Sequence, residues 1–194
     1  MARLARVVAP DIPHHITQRG NRNQPVFFSD QDRKEYLRLV AHHARMNEVR
    51  IWAYCLMDNH VNFREGWRGY LWQGRFFSFP MDERHLIAAM RYVERNPVNA
   101  RIVKRAEDYP WSSAAAHIGA RTDSILSDCY LLRVIPDWSA FLASEEESEK
   151  AGVENSMKTG RPLGSPDFIS KLELRLDRSL AKRKPGRKPR QLVN

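Results

Sequence analysis

The chain has 194 residues, with 32 Lys and Arg against 23 Asp and Glu, for a formal net charge of +9. A basic balance of that size points to a polyanionic partner, most often nucleic acid, and 42% apolar residues are enough for a packed core. Two distant cysteines, Cys55 and Cys129, without a CxxC, argue against a disulfide framework or zinc knuckle and suit a reducing cytoplasm; the N-terminus has no long apolar h-region and no apolar run approaches transmembrane length, so neither a signal peptide nor a membrane span is expected.

Residues 13–19 read as a strand rich in polar side chains, followed by a loop over Gly20–Pro25 and a short apolar return, Val26-Phe27-Phe28. Ser29 with Asp32 three residues on is a capping-box start. Leu37, Val40, Ala41 and Ala44 then recur at helical spacing, which predicts an amphipathic helix over 30–46. Val49–Met57 is a nearly continuous apolar run, expected as a buried strand. Residues 62–70 read as a loop. Leu71–Phe79 reads as a strand bulged at Gly74 and closed by Pro80. Asp82 caps a second helix with an apolar stripe of Leu86, Ala89, Met90 and Val93, expected to end near Asn96 because Pro97 follows.

A short helix is expected from Tyr109-Pro-Trp-Ser-Ser113 to about His117, and irregular helical character over 125–142, interrupted by Pro136. Ser144–Lys150 is acidic and reads as a solvated helix face or linker. Thr159–Gly164 is a loop. Ser165-Pro166 then starts a helix whose one face carries Phe168, Leu172, Leu176 and Leu180. The end of the chain places Lys182, Arg183, Lys184, Arg187, Lys188 and Arg190 within nine residues, a composition expected to be disordered when free.

On spacing alone the chemistry is sparse. Tyr92 lies roughly 110° from the apolar stripe of its helix, with His85 and Asn96 on the same side, as for a tyrosine at an amphipathic boundary. His60 is a lone histidine at a strand end. His14 and His15 are adjacent and so point to opposite faces of a strand. No HExxH, GxSxG, Walker loop or dinucleotide fingerprint is present. Charge alone leaves DNA and RNA both open as partners.

Several blocks occur in one order: Pro13-His-His-Ile-Thr-Gln-Arg-Gly-Asn-Arg22, Tyr54-Cys-Leu-Met-Asp-Asn-His-Val61, Leu71-Trp-Gln-Gly-Arg-Phe76, Tyr92-Val-Glu-Arg-Asn-Pro-Val98 and Trp111-Ser-Ser113. The series, over about residues 5–118, resembles the REP-associated branch of the single-tyrosine HUH transposases. The C-terminal Thr159–Gly164 and Lys/Arg-Pro-Gly segments are similar to the end of that branch. The resemblance implies an α+β, ferredoxin-like antiparallel sheet with helices on one face, often as a homodimer. It implies metal-dependent cleavage and rejoining of single-stranded, hairpin-adjacent DNA through a 5′-phosphotyrosine. Carried over, Tyr92 is the nucleophile, and His60, the residue at 62 and Asn96 hold Mg²⁺ or Mn²⁺. Arg19, Arg22, Trp72, Arg75, Trp111 and the six tail cations are implied DNA contacts, by phosphate binding and stacking. Location in the cytoplasm, on the nucleoid, would follow.

The chain departs from that pattern at one place. Asn62 stands where the second metal histidine belongs, and Asn62-Phe-Arg-Glu-Gly-Trp67 follows Val61 directly. A strand and a helix, together about 17 residues or more, are missing there. An Asn oxygen is still an acceptable Mg²⁺ ligand, so the lost elements matter more than the substitution. The expected organisation is a truncated transposase domain over 1–118, lacking one strand and one helix. A helical extension and acidic linker over 119–150 follows, then a C-terminal helix with a basic tail over 151–194. In the shortened sheet, the 49–57 strand is expected to close up in parallel against the first. Two outcomes stay open: an impaired DNA-cleaving enzyme, or an inert DNA-binding remnant.

Overall fold

A computed structural model describes residues 6–21, 24–58, 76–144 and 147–180. The chain is α+β: a two-stranded antiparallel sheet and seven α-helices among the described residues. Strand β1 (His14–Thr17) pairs with β2 (Phe77–Pro80), with His15 opposite Phe79. The pairing extends past the strand end through the Met81 N–H, which donates to the Pro13 carbonyl at 2.9 Å. Pro80 therefore lies inside β2, one residue later than its role as a strand terminator predicts.

Helix α1 (Asp30–Met46) starts where the sequence places it. The Ser29 hydroxyl accepts from the Asp32 N–H and the Asp32 carboxylate accepts from the Ser29 N–H, a complete capping box. The expected strand at Val49–Met57 does not join the sheet. Its backbone groups find other partners: the Leu56 N–H donates to the Trp111 carbonyl at 2.8 Å, the Ser113 N–H to the Tyr54 carbonyl at 3.0 Å, and the Ser127 N–H to the Ile51 carbonyl at 2.8 Å. With those groups satisfied, the segment has no need of β1, and only Cys55 makes a ladder contact, antiparallel to Ser112. It is also less buried than its apolar run suggests. Leu56 is in the core, while Trp52, Ala53 and Tyr54 are half-buried.

Helix α2 (Glu83–Asn99) is the centre of the molecule, and it runs through Pro97 rather than stopping before it. Proline removes the N–H that would bond the Val93 carbonyl. The Asn96 side-chain amide supplies a substitute donor, 3.3 Å from that oxygen. The helix ends two residues later, with Arg101 in the left-handed region (φ 59°) and the Ile102 N–H on the Pro97 carbonyl. The chain then passes through a 3₁₀ turn (Ala106–Asp108) and the short helices α3 (Ala114–His117), α4 (Leu131–Val134) and α5 (Trp138–Ala143).

Helix α6 (Glu147–Thr159) packs along α2. The acidic stretch is thus a packed helix rather than only a solvated face. Glu149 is the counter-ion of Arg91, which is buried on α2, bonded to the Ser144 hydroxyl at 2.7 Å, and stacked over Phe141. The loop after α6 returns to the sheet. Leu163 bridges Met81 in parallel, its N–H on the Pro80 carbonyl at 3.0 Å. Helix α7 (Pro166–Leu176), capped by Ser165, then packs Leu172 against Val7 and Ala9. Leu180 joins the same cluster from beyond the helix end, after Asp177 turns the chain in the left-handed region.

Asp82 ties this region together. Its carboxylate accepts from the His85 N–H at 3.0 Å and the Ser165 N–H at 2.8 Å, and it lies 2.5 Å from the His85 ring nitrogen. Burial acts to raise its pKa. The hydrogen bonds from the His85 ring, the His85 N–H and the Ser165 N–H outweigh that and hold the carboxyl below its ordinary range. A depressed carboxyl pKa contributes stability above the unfolded value, and that contribution is lost as pH falls through the folded one. Thermal melts from pH 6 down to pH 3 should therefore show a loss of stability starting near the ordinary aspartate pKa, smaller in Asp82→Asn. Asp82→Ala should cost about 1–2 kcal/mol at neutral pH through the lost cap.

Candidate nucleic-acid interface

Tyr92 sits on the α2 side that α6 covers, so its ring is half-buried rather than solvent-facing. It borders a shallow cleft with Arg91, Arg95, Asn99, Ser144, Glu149 and Lys150. Beneath it, His15 of β1 stacks on Phe79 at 5.2 Å and meets the Tyr92 ring edge-on at 6.2 Å. Burial lowers the His15 pKa to about 4, so this imidazole is neutral at physiological pH. Burial raises the Tyr92 pKa, the Glu154 carboxylate adds to that, and Arg19 works against it. The phenol is thus fully protonated at neutral pH, the weakly nucleophilic form.

The cations around Tyr92 are mostly engaged. Arg91 is held by Glu149 and Ser144, and Arg95 donates to the Leu142 carbonyl. Arg19, an implied phosphate contact, is exposed and lies near enough to act on Tyr92. Asn96 lies one turn beyond Tyr92, half-buried, with its NH₂ directed at the Val93 carbonyl. His85 is drawn to Asp82 at the start of the helix. The polar face read from the sequence is therefore divided among a cap, a cleft and a repair of the proline break.

Trp111 lies elsewhere, half-buried in a small core with Val26, Phe27 and Leu56. The buried Arg33 guanidinium stands 5.5 Å from its ring and pairs with Asp58 and Asp30. Asp58 is further fixed by the Val26 N–H on its carbonyl at 2.5 Å. The chain is thus anchored two residues short of His60. His60, Asn62, Arg22, Trp72, Arg75, the Val61/Asn62 junction and the tail cations Lys182, Arg183, Lys184, Arg187, Lys188 and Arg190 lie outside the described residues.

The strongest polar constellation was not singled out from the sequence. Glu94 is 0% exposed. It accepts from the Ser113 hydroxyl and from the Trp138 indole N–H at 2.8 Å. The His117 Nδ1 lies 2.6 Å from its Oε1, an ion-pair distance when the imidazole is protonated, with an angle off hydrogen-bond geometry. Ser113 in turn accepts from the Tyr54 N–H at 3.0 Å. One carboxylate therefore ties α2 to α3, α5 and the Tyr54 segment. Burial, and then the Glu94 charge, push the Cys55 thiol pKa up and keep it protonated. A sequence signal existed: Glu94 stands in line with Leu86 and Met90 at four-residue spacing, an acid inside an apolar stripe.

No family model, curated protein or solved structure matches this chain.

Among the described residues, no group of three His, Cys, Asp or Glu side chains could hold a metal ion. Asn96 is the one implied ligand within them, and it offers a single neutral oxygen. A divalent cation such as Mg²⁺ takes about six ligands and favours carboxylates. The described residues by themselves do not make that site.

Proposed function

We propose that the chain is a transposase-like DNA-binding protein, derived from an enzyme that cuts and rejoins single-stranded, hairpin-adjacent DNA. The ordered series of sequence blocks carries this reading, above all Tyr92-Val-Glu-Arg-Asn-Pro-Val98 on one helix. The order of elements is compatible with a ferredoxin-like frame that has lost a strand and a helix: β1, α1, then β2 leading into α2, with β1 and β2 antiparallel. The net charge of +9 supports a polyanionic partner.

In the ancestral reaction, the Tyr92 phenolic oxygen attacks a backbone phosphorus. The P–O3′ bond breaks, the 3′-oxygen takes up a proton, and the DNA is left joined to Tyr92 through its 5′-phosphate. The reverse attack by a 3′-hydroxyl reseals the strand without ATP, because one phosphodiester is exchanged for another. Mg²⁺ or Mn²⁺, held by His60, Asn62 and Asn96, would supply positive charge at the scissile phosphate. A pair of chains acting as a homodimer belongs to the same proposal.

One observation favours binding without efficient cutting: burial of the Tyr92 ring raises its phenol pKa, which disfavours the phenolate that attacks. Incubation with labelled single-stranded hairpin DNA and Mn²⁺ should give a retarded, non-covalent complex for wild type and Tyr92→Phe alike. A denaturing gel should show at most a trace of covalent adduct. An adduct at ordinary yield that Tyr92→Phe removes would establish an active enzyme. Absence of any retarded complex would sink the DNA reading.

A further inference from the structure

Away from Tyr92, a cavity of about 240 Å³ opens where the start of α2 meets the start of α7. Its aromatic walls come from three separate segments: Trp52, Tyr130 and Phe168. Met81 and Leu86 add apolar surface, and Glu83 lines it too. Tyr130 is 40% exposed, so part of its ring is open to a ligand. Glu83 is exposed, with no partner among the described residues. The Arg50 guanidinium stands 5.6 Å from the Trp52 ring centroid, which places an exposed cation beside the aromatic wall.

Building on the DNA-binding reading above, we propose that this cavity takes one unstacked nucleobase of single-stranded DNA, with preference for a base bearing an exocyclic amino group. Flat aromatic walls match the π-face of any base. A carboxylate accepts hydrogen bonds but donates none, so Glu83 favours the amino N–H groups of cytosine or adenine over the carbonyl-flanked edge of thymine. Arg50 does not line the cavity but stands beside its Trp52 wall, where it would meet the backbone phosphate of the same nucleotide. An acyl chain would fill an apolar cavity as well, but it would gain nothing from Glu83 or Arg50. A single site thus combines stacking, an acceptor and a cation, and none of these groups belongs to the Tyr92 cleft.

Fluorescence anisotropy with labelled oligo(dC), oligo(dA) and oligo(dT) tests this on the full chain. Wild type should bind oligo(dC) and oligo(dA) more tightly than oligo(dT). Tyr130→Ala should weaken all three by about tenfold, with the salt dependence unchanged, because stacking is lost and no phosphate contact is removed. Glu83→Gln should erase the preference while leaving oligo(dT) binding intact. Thermal melts of both variants check that they fold; both positions are exposed. Unchanged affinity and preference in both folded variants would overturn the base site and leave DNA binding standing. Binding of an apolar dye in the cavity that no oligonucleotide displaces would do the same. Failure of wild type to bind any of the three would overturn the DNA-binding reading and the base site together.

Discussion

Replacing Glu94 with alanine should destabilise the protein by about 3–5 kcal/mol, the range for removing one partner from a buried charged network. The side chain is fully buried, and three groups from other elements depend on it. Without it the Trp138 N–H loses its acceptor in a region water does not reach, and the Ser113 hydroxyl keeps only the longer contact to the Tyr54 carbonyl at 3.3 Å. The cavity left behind adds to the loss, because α2 packs here against α5 and meets Ser113 at the start of α3. Glu94→Gln keeps the shape and an acceptor oxygen, so it should cost clearly less. Urea titrations followed by tryptophan fluorescence would measure both. A midpoint for Glu94→Ala equal to that of wild type would show that the network is not a stabilising one. The same variants bear on function, since Ser113 also holds the Tyr54 segment, which leads toward His60.

The second large effect is on salt dependence. The six cations between Lys182 and Arg190 should account for much of the electrostatic part of DNA binding. At about 0.7 counterions released per neutralised phosphate on a single strand, six contacts give a slope near −4 in log K against log salt. Affinity would then fall roughly 300-fold between 50 and 200 mM salt from the tail alone. A chain ending at residue 180 should bind more weakly at 50 mM salt and show a correspondingly flatter slope. If truncation leaves the slope unchanged, the tail is not a phosphate contact, and the exposed cations of the folded part, Arg19 and Arg50 among them, become the leading candidates. Both measurements need only binding, so they hold whether or not Tyr92 cuts DNA.

Much of the local structure is legible in the sequence. The Ser29–Asp32 capping box, the Asp82 and Ser165 caps, and the break at Pro136 are short-range signals. Each is satisfied by neighbours a few residues away, so the sequence contains the whole interaction. The end of α2 was misplaced for an equally local reason. The expected stop rests on the steric bias of the residue before a proline away from the α region, a bias the packed helix overrides at Asn96, while the Asn96 amide donates to the Val93 carbonyl that Pro97 leaves without an N–H.

The Val49–Met57 segment marks the limit of this kind of inference. Its apolar run is strand-like, but it forms no strand, and whether it enters the sheet depends on which distant backbone groups reach it first. Residues 111–113 and 127 do, and they leave β1 to β2. Likewise, the acidic stretch near 147–150 became a packed helix because Arg91 is buried on α2 and needs a counter-charge, a requirement set from about 60 residues away.

By itself the sequence determined the helix starts, the basic character and the ordered blocks that end in Tyr92, because those are properties of composition and short-range spacing. Only the tertiary structure decided that α6 would cover the Tyr92 face and raise the phenol pKa, and that Glu94 would become the buried hub of four segments. It also brought Trp52, Tyr130 and Phe168 around one cavity. Burial, pKa and cavity shape are sums over contacts between distant residues, and no window of sequence contains both sides of such a contact.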